Sequence, residues 1–162
     1  MKKKWKEILL KGKVLVVDTG VLIEYLDLSS PLAPKIEKLY NKSLKDEINL
    51  YTTSLVIAET LYISARFYRV MGVEDPNRRA HEYIIWLKNY VKLKAVDIDN
   101  NLAEEMGELK KKLRIALVDC SVIALAKRIN GMPLFRRIER EMVPVLSELR
   151  KLGTLFIDEI EL

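Results

Sequence analysis

The chain predicts an α/β domain with a mainly parallel sheet, and three observations point there. Residues 13–18 form a continuous β-branched run, VLVVD after Lys13, of the kind found in strands covered on both faces. Short apolar runs of this sort alternate with longer stretches of helical period along the whole chain. The first run ends in Asp-Thr-Gly, which turns the chain out of the sheet.

Taken in order, a short helix is expected near residues 20–28. Pro31 and Pro34 open a second helix with Ile36, Leu39, Tyr40 and Leu44 on one side. INLYTT at 48–53 reads as the second strand, and Ser54 as the N-cap of a helix that carries Glu59. Met71-Gly72 and Asp75-Pro76 break the helical pattern, so a loop is placed there before a helix over 77–91. A strand at 93–97 and a charged amphipathic helix at about 100–112 follow. The most apolar helix spans 117–130 and stops at Asn130-Gly131. A strand at 132–135, a helix near 138–151 and a strand at 154–157 complete the pattern. No repeat, low-complexity tract or linker interrupts it.

Composition narrows the function classes. With 162 residues, 49% hydrophobic and 31% charged, the chain is expected to fold as one domain around its own core. Its formal charge of +5 and pI near 9.2 favour a polyanionic partner. The single Cys120 excludes an internal disulfide framework and a cysteine zinc site; it reads as a core residue, and such cysteine usage suits a reducing cytoplasm. His81 stands alone and is expected at the surface. No apolar run is long enough to span a bilayer, and no membrane association is expected. In MKKKWKEILLKGKVLVVD, Lys11, Lys13 and Asp18 break what would otherwise resemble a leader, so residues 1–12 read as a basic extension and Lys2-Lys3-Lys4 as its tail.

Three carboxylates interrupt stretches otherwise suited to an interior: Asp18 in VLVVD, Glu59 in LVIAETLYI and Asp119 in IALVDCSVIALA. A buried acid is costly unless paired, hydrogen-bonded or bound to a metal. Asp18 falls at the carboxyl end of the first strand, where open α/β sheets collect ligands. Each acid also has a plainer reading. Asp18 could simply form the turn, Glu59 could pair with Arg66, and Asp119 could sit in the favourable field of a helix start. Brought together they would repel one another, and a hard divalent ion such as Mg²⁺ or Mn²⁺ would relieve that repulsion. Without His or Cys partners, zinc, copper and iron fit poorly. With a basic chain, phosphodiester hydrolysis is the reaction class expected. Neither a dinucleotide nor a nucleotide phosphate loop is present, and Gly20 breaks the D-x-D of an aspartyl phosphatase.

DTGVLIEYL at 18–26, TSLVIAETLY at 53–62 and LVDCSVIALAKRINGMPLF at 117–135 together resemble the PIN-domain ribonucleases, in particular VapC-type toxins. The likeness runs roughly over residues 13–158, taken as the domain. It implies about five parallel strands flanked by helices, a Mg²⁺ or Mn²⁺ requirement and cleavage of single-stranded RNA. A homodimer and a small antitoxin partner are implied as well. The acidic roles of that family carry over to Asp18, Glu59 and Asp119, as catalytic and metal-holding residues. A fourth acid follows the strand after the Asp119 helix, and Glu139 is the preferred equivalent, with Glu141 as the alternative. Two departures stand out: Gly20 replaces the usual Ser or Asn, and MPLFRRIEREM replaces a T-x-D pattern. Arg136, Arg137 and Arg140 flank the expected fourth acid and are candidates to grip RNA phosphates, or else surface partners of Glu139 and Glu141. Lys110, Lys111, Lys112 and Arg114 could extend that basic track. Tyr62 and Tyr68 read as packing residues, although aromatics also stack on bases. The resemblance also leaves a non-catalytic RNA- or protein-binding relative and an RNA-maturation nuclease without antitoxin as alternatives.

Overall fold

The computed structural model describes residues 12–162, so residues 1–11 of the basic extension, with the Lys2-Lys3-Lys4 tail, lie outside the described residues. Five strands form one sheet: β1 (Val14–Val17), β2 (Asn49–Thr53), β3 (Lys94–Val96), β4 (Met132–Phe135) and β5 (Leu155–Phe156). Their order across the sheet is β3-β2-β1-β4-β5 and every pairing is parallel. β1 is therefore central, which is why Leu15, Val16 and Val17 are fully buried. Burying each such side chain stabilises the fold by about 1.5–3 kcal/mol.

The helices α1 (Thr19–Glu24), α2 (Ala33–Leu44), α3 (Ser54–Val70), α4 (Pro76–Asn89), α5 (Asn100–Leu113), α6 (Leu117–Arg128) and α7 (Leu146–Lys151) flank the sheet. Asp18 caps α1, accepting at Oδ1 from the Val21 N–H at 2.9 Å. The cap of α3 is Thr53 rather than the expected Ser54, because Thr53 keeps an extended backbone and its Oγ1 accepts from the Val56 N–H at 3.2 Å. The same buried hydroxyl lies 2.9 Å from Ser121 Oγ on α6. One threonine thus ties the start of α3 to α6, the helices that carry Glu59 and Asp119.

Two expected elements are shorter than the pattern suggests. α1 ends at Glu24 instead of reaching residue 28, because Asp27 Oδ1 accepts from the Ser29 N–H and hydroxyl and folds the chain into an Asx turn. The single helix expected near 138–151 is instead a 3₁₀ segment, Arg140–Val145, followed by α7. Pro144 lacks an N–H and disfavours α geometry in Val143, so an α-helix cannot run through. Cys120 is buried, as expected, and His81 is exposed. No helix among the described residues is long and apolar enough to cross a membrane.

Candidate metal and phosphate site

The parallel sheet delivers β1, β2 and β4 to one edge, and the helices leaving them carry acids there. A cavity of about 270 Å³ at that edge is lined by Asp18, Glu59, Asp119, Glu139 and Arg136, among others. All four expected acids therefore share one hollow. Asp18 extends from the end of β1, where its N–H donates to the Leu134 carbonyl of β4 at 3.2 Å. Glu59 lies in the second turn of α3, and its Oε2 accepts from the Thr19 hydroxyl at 2.5 Å. No pairing of Glu59 with Arg66 exists among the described residues.

Asp119 sits in the first turn of α6. One carboxylate oxygen each from Asp119, Glu139 and Glu141 lie within 4.8 Å of one another. Both glutamates thus approach Asp119, and of the two Glu139 lines the cavity. Glu141 Oε1 also accepts from the Ala116 N–H at 2.9 Å, at the entrance to α6, which orients the 3₁₀ segment against that helix. The 3₁₀ turn makes this possible, since it starts immediately after Glu139 and brings both glutamates back toward the sheet edge.

Electrostatics mark the same place. Asp18 is only 6% exposed, and burial drives its pKa from 3.8 up to about 7; the Glu139 charge pushes the same way, while the Val21 N–H and Arg136 oppose. Burial likewise lifts Asp119 to about 8, reinforced by Asp18, Glu139, Glu141 and Glu59. An all-oxygen donor set that disfavours its own ionisation suits a hard divalent cation. The residues present fit such an ion.

Of the three expected arginines, only Arg136 lines the cavity; Arg137 and Arg140 are exposed beyond it. Nor does Arg136 pair with Glu139 or Glu141. Its Nη1 donates to Glu24 Oε2 at 2.9 Å, and Ser30 holds the other oxygen of Glu24. Its Nε is buried with no partner. A Cβ on Gly20 would stand 3.2 Å from Arg136 Cβ and 3.1 Å from Asp18 Oδ2. Gly20 is thus the residue that lets Arg136 lie beside Asp18, in space a larger side chain would claim. Sequence reasoning missed Glu24 and Thr19. Glu24 carried a usable signal, since it is an acid inside the apolar stretch VLIEYL.

The lysines of the expected basic track are already engaged. Lys110 donates to the Ile115 carbonyl at 2.6 Å, Lys111 meets Glu108 at 2.7 Å and Lys112 meets Glu148 at 3.6 Å. Tyr62 is 64% exposed, contrary to the packing role expected for it, whereas Tyr68 is half-buried.

The PIN domain family model matches residues 15–135, and the chain belongs to that family. Its fold is shared with VapC-type toxins. Mycobacterium tuberculosis VapC20, a sarcin-ricin loop cleaving toxin, superposes with a TM-score of 0.60 at 13% identity, covering 87% of this chain and 96% of the toxin. VapBC-1 from nontypeable Haemophilus influenzae gives 0.58 at 13% identity, covering 90% and 98%. PAE2754 from Pyrobaculum aerophilum gives 0.60 at 16% identity, covering 90% of each chain. No curated protein matches the chain in sequence. At such identities the structural likeness speaks for the fold, while family membership supports a nuclease in general.

Proposed function

We propose that this protein is a divalent-metal-dependent endoribonuclease that cleaves single-stranded RNA and acts as the toxin of a toxin–antitoxin pair. The observation that carries the reading is the convergence of Asp18, Glu59, Asp119 and Glu139 on one cavity, with Asp18 and Asp119 held against ionisation. Asp18 also caps α1, but a cap does not call for further acids in the same cavity, and neither Asp18 nor Asp119 has a salt-bridge partner among the described residues.

In this reading Asp18, Asp119 and Glu139, with Glu59 and Glu141 beside them, would hold Mg²⁺ or Mn²⁺. A bound ion of this kind supplies an acidified water and offsets charge on the phosphate under attack. Glu59 is fixed through Oε2 by Thr19, and its Oε1 has no protein partner among the described residues, so it is placed to take the proton of the attacking water. Arg136, which lines the cavity and is held by Glu24 through Nη1, offers its guanidinium charge to a phosphate oxygen. Arg137 and Arg140 meet RNA outside the cavity.

An antitoxin partner is favoured by the solved VapBC assemblies that share this fold, including VapBC2 from Rickettsia felis bound to promoter DNA. A homodimer and a cytoplasmic setting are part of the proposal, as the resemblance to VapC-type toxins implies them. Purified protein with single-stranded RNA and Mn²⁺ is expected to yield discrete fragments, and EDTA to prevent them. Intact RNA under both conditions would contradict the nuclease reading. Co-expression with a small DNA-binding neighbour should suppress the cutting, whereas a maturation nuclease would be indifferent to it.

A further inference from the structure

Two hollows outside the acidic cavity have volumes above 600 Å³. The one between α5 and α6, about 610 Å³, sets Glu104, Glu105 and Glu108 against Lys112 and Lys127, a net negative lining that suits a polyanion poorly. The other, about 680 Å³, runs between α3 and α4 and has the opposite character. Tyr62, Arg66 and Arg69 line it from α3, and Asn77 and His81 from α4. Ala58 and Ala65 also line it, and Leu61 is its one large aliphatic side chain, so it offers few of the apolar anchors a partner helix needs.

The two arginines are distinctive. Among the described residues neither Arg66 nor Arg69 pairs with a carboxylate, although the nearby Arg78 and Arg79 both pair with Glu82. Guanidinium groups left without anions beside an exposed tyrosine suit a ligand that brings phosphates and flat bases. Continuity with the acids points the same way. Arg66 lies two helical turns beyond Glu59 on α3, roughly 10 Å along the axis and on nearly the same face. Tyr62 lies between them in height. A strand whose phosphate enters the acidic cavity can therefore continue along this helix.

We propose that the groove between α3 and α4 is a binding subsite for the single-stranded RNA that flanks the cleaved bond. Arg66 and Arg69 bind its phosphates and Tyr62 stacks on an unpaired base. With Arg137 and Arg140 on the far side of the cavity, the RNA crosses the acids between two basic banks. The assignment rests on the nuclease reading and adds the path of the substrate to it.

The test is fluorescence anisotropy with a labelled single-stranded RNA 12-mer in EDTA, which prevents cleavage during the measurement. Arg66→Gln combined with Arg69→Gln is expected to weaken binding about tenfold or more at low salt. The plot of log affinity against log salt should become shallower by about 1.4, the loss of two phosphate contacts to a single strand. Tyr62→Ala should weaken binding roughly tenfold without changing the slope. The ion-paired Arg78→Gln should leave both quantities unchanged, and circular dichroism checks that each variant is folded. With Mn²⁺, the double variant should raise KM for the 12-mer. Unchanged affinity and slope in the double variant, or an equal loss in Arg78→Gln, would overturn the subsite. A double variant that keeps RNA affinity but loses self-association or antitoxin binding would overturn it too, by making the groove a protein interface. If wild type cuts RNA and the double variant matches it throughout, only the subsite falls. If wild type neither binds nor cuts RNA, the nuclease reading falls first.

Discussion

Asp119→Asn is expected to lower Mn²⁺-dependent RNA cleavage by about 100-fold or more, since even a partner behind a metal ligand is worth about 10–100-fold and Asp119 is placed on the ion itself. The same substitution should not destabilise the protein, and there lies its diagnostic value. Asp119 pays for its charge by burial and by four neighbouring carboxylates, which together lift its pKa to about 8. Asparagine has nearly the same shape and carries no charge, so it removes repulsion and keeps the volume filled. Urea denaturation in EDTA at pH 8 should find the variant as stable as wild type or more so. A structural acid behaves the other way, because losing it strands its partner and stability drops along with any activity. Loss of activity with retained stability therefore separates a site built for a ligand from a buried ion pair.

The metal-free protein should become less stable as pH rises from about 4 to 8. Asp18 has a folded-state pKa of about 7 against an ordinary value of 3.8. Between those values the native state binds more protons than the unfolded chain, so stability is present below the lower value and is lost as pH climbs through the upper one. For Asp18 alone the loss is on the order of a few kcal/mol, and Asp119 acts in the same direction. Asp99 and Glu148 are held below their ordinary values by the Leu102 N–H and Lys151 respectively; above pH 5 they are ionised in both states and leave the slope unchanged. Adding Mn²⁺ at pH 8 to about a hundred times its dissociation constant should restore about 2.7 kcal/mol. At pH 5 the ion must displace protons and should stabilise less. Urea midpoints at the two pH values, with EDTA or Mn²⁺, measure all four corners. A metal-free protein equally stable at pH 5 and pH 8 would show that the acids are neutralised from within.

Much of this site was legible because water and carboxylates are hard to separate. An acid ending the run VLVVD or interrupting IALVDCSVIALA has no cheap explanation, and the parallel-sheet rule places such a strand end at the ligand edge. Strand alternation was readable for the same reason, since β1 and β4 are buried from both faces. What escaped depended on long-range packing. A helical period over 138–151 hid the 3₁₀ turn that Pro144 imposes, and with it the approach of Glu139 and Glu141 together to Asp119. The partnership of Glu24 with Arg136 joins residues 112 apart, and the vacancy left by Gly20 has meaning only once Arg136 is seen filling it. Tyr62 looked like a packing residue because helical spacing does not say whether another element covers that face.

Crystals soaked in Mn²⁺ and measured at the manganese absorption edge put the shared-cation claim to its most direct trial. An anomalous peak bounded by the carboxylates of Asp18, Asp119 and Glu139, and lost in crystals of Asp119→Asn, is the expected result. Manganese bound elsewhere, with that cavity free of signal at saturating ion, would contradict it.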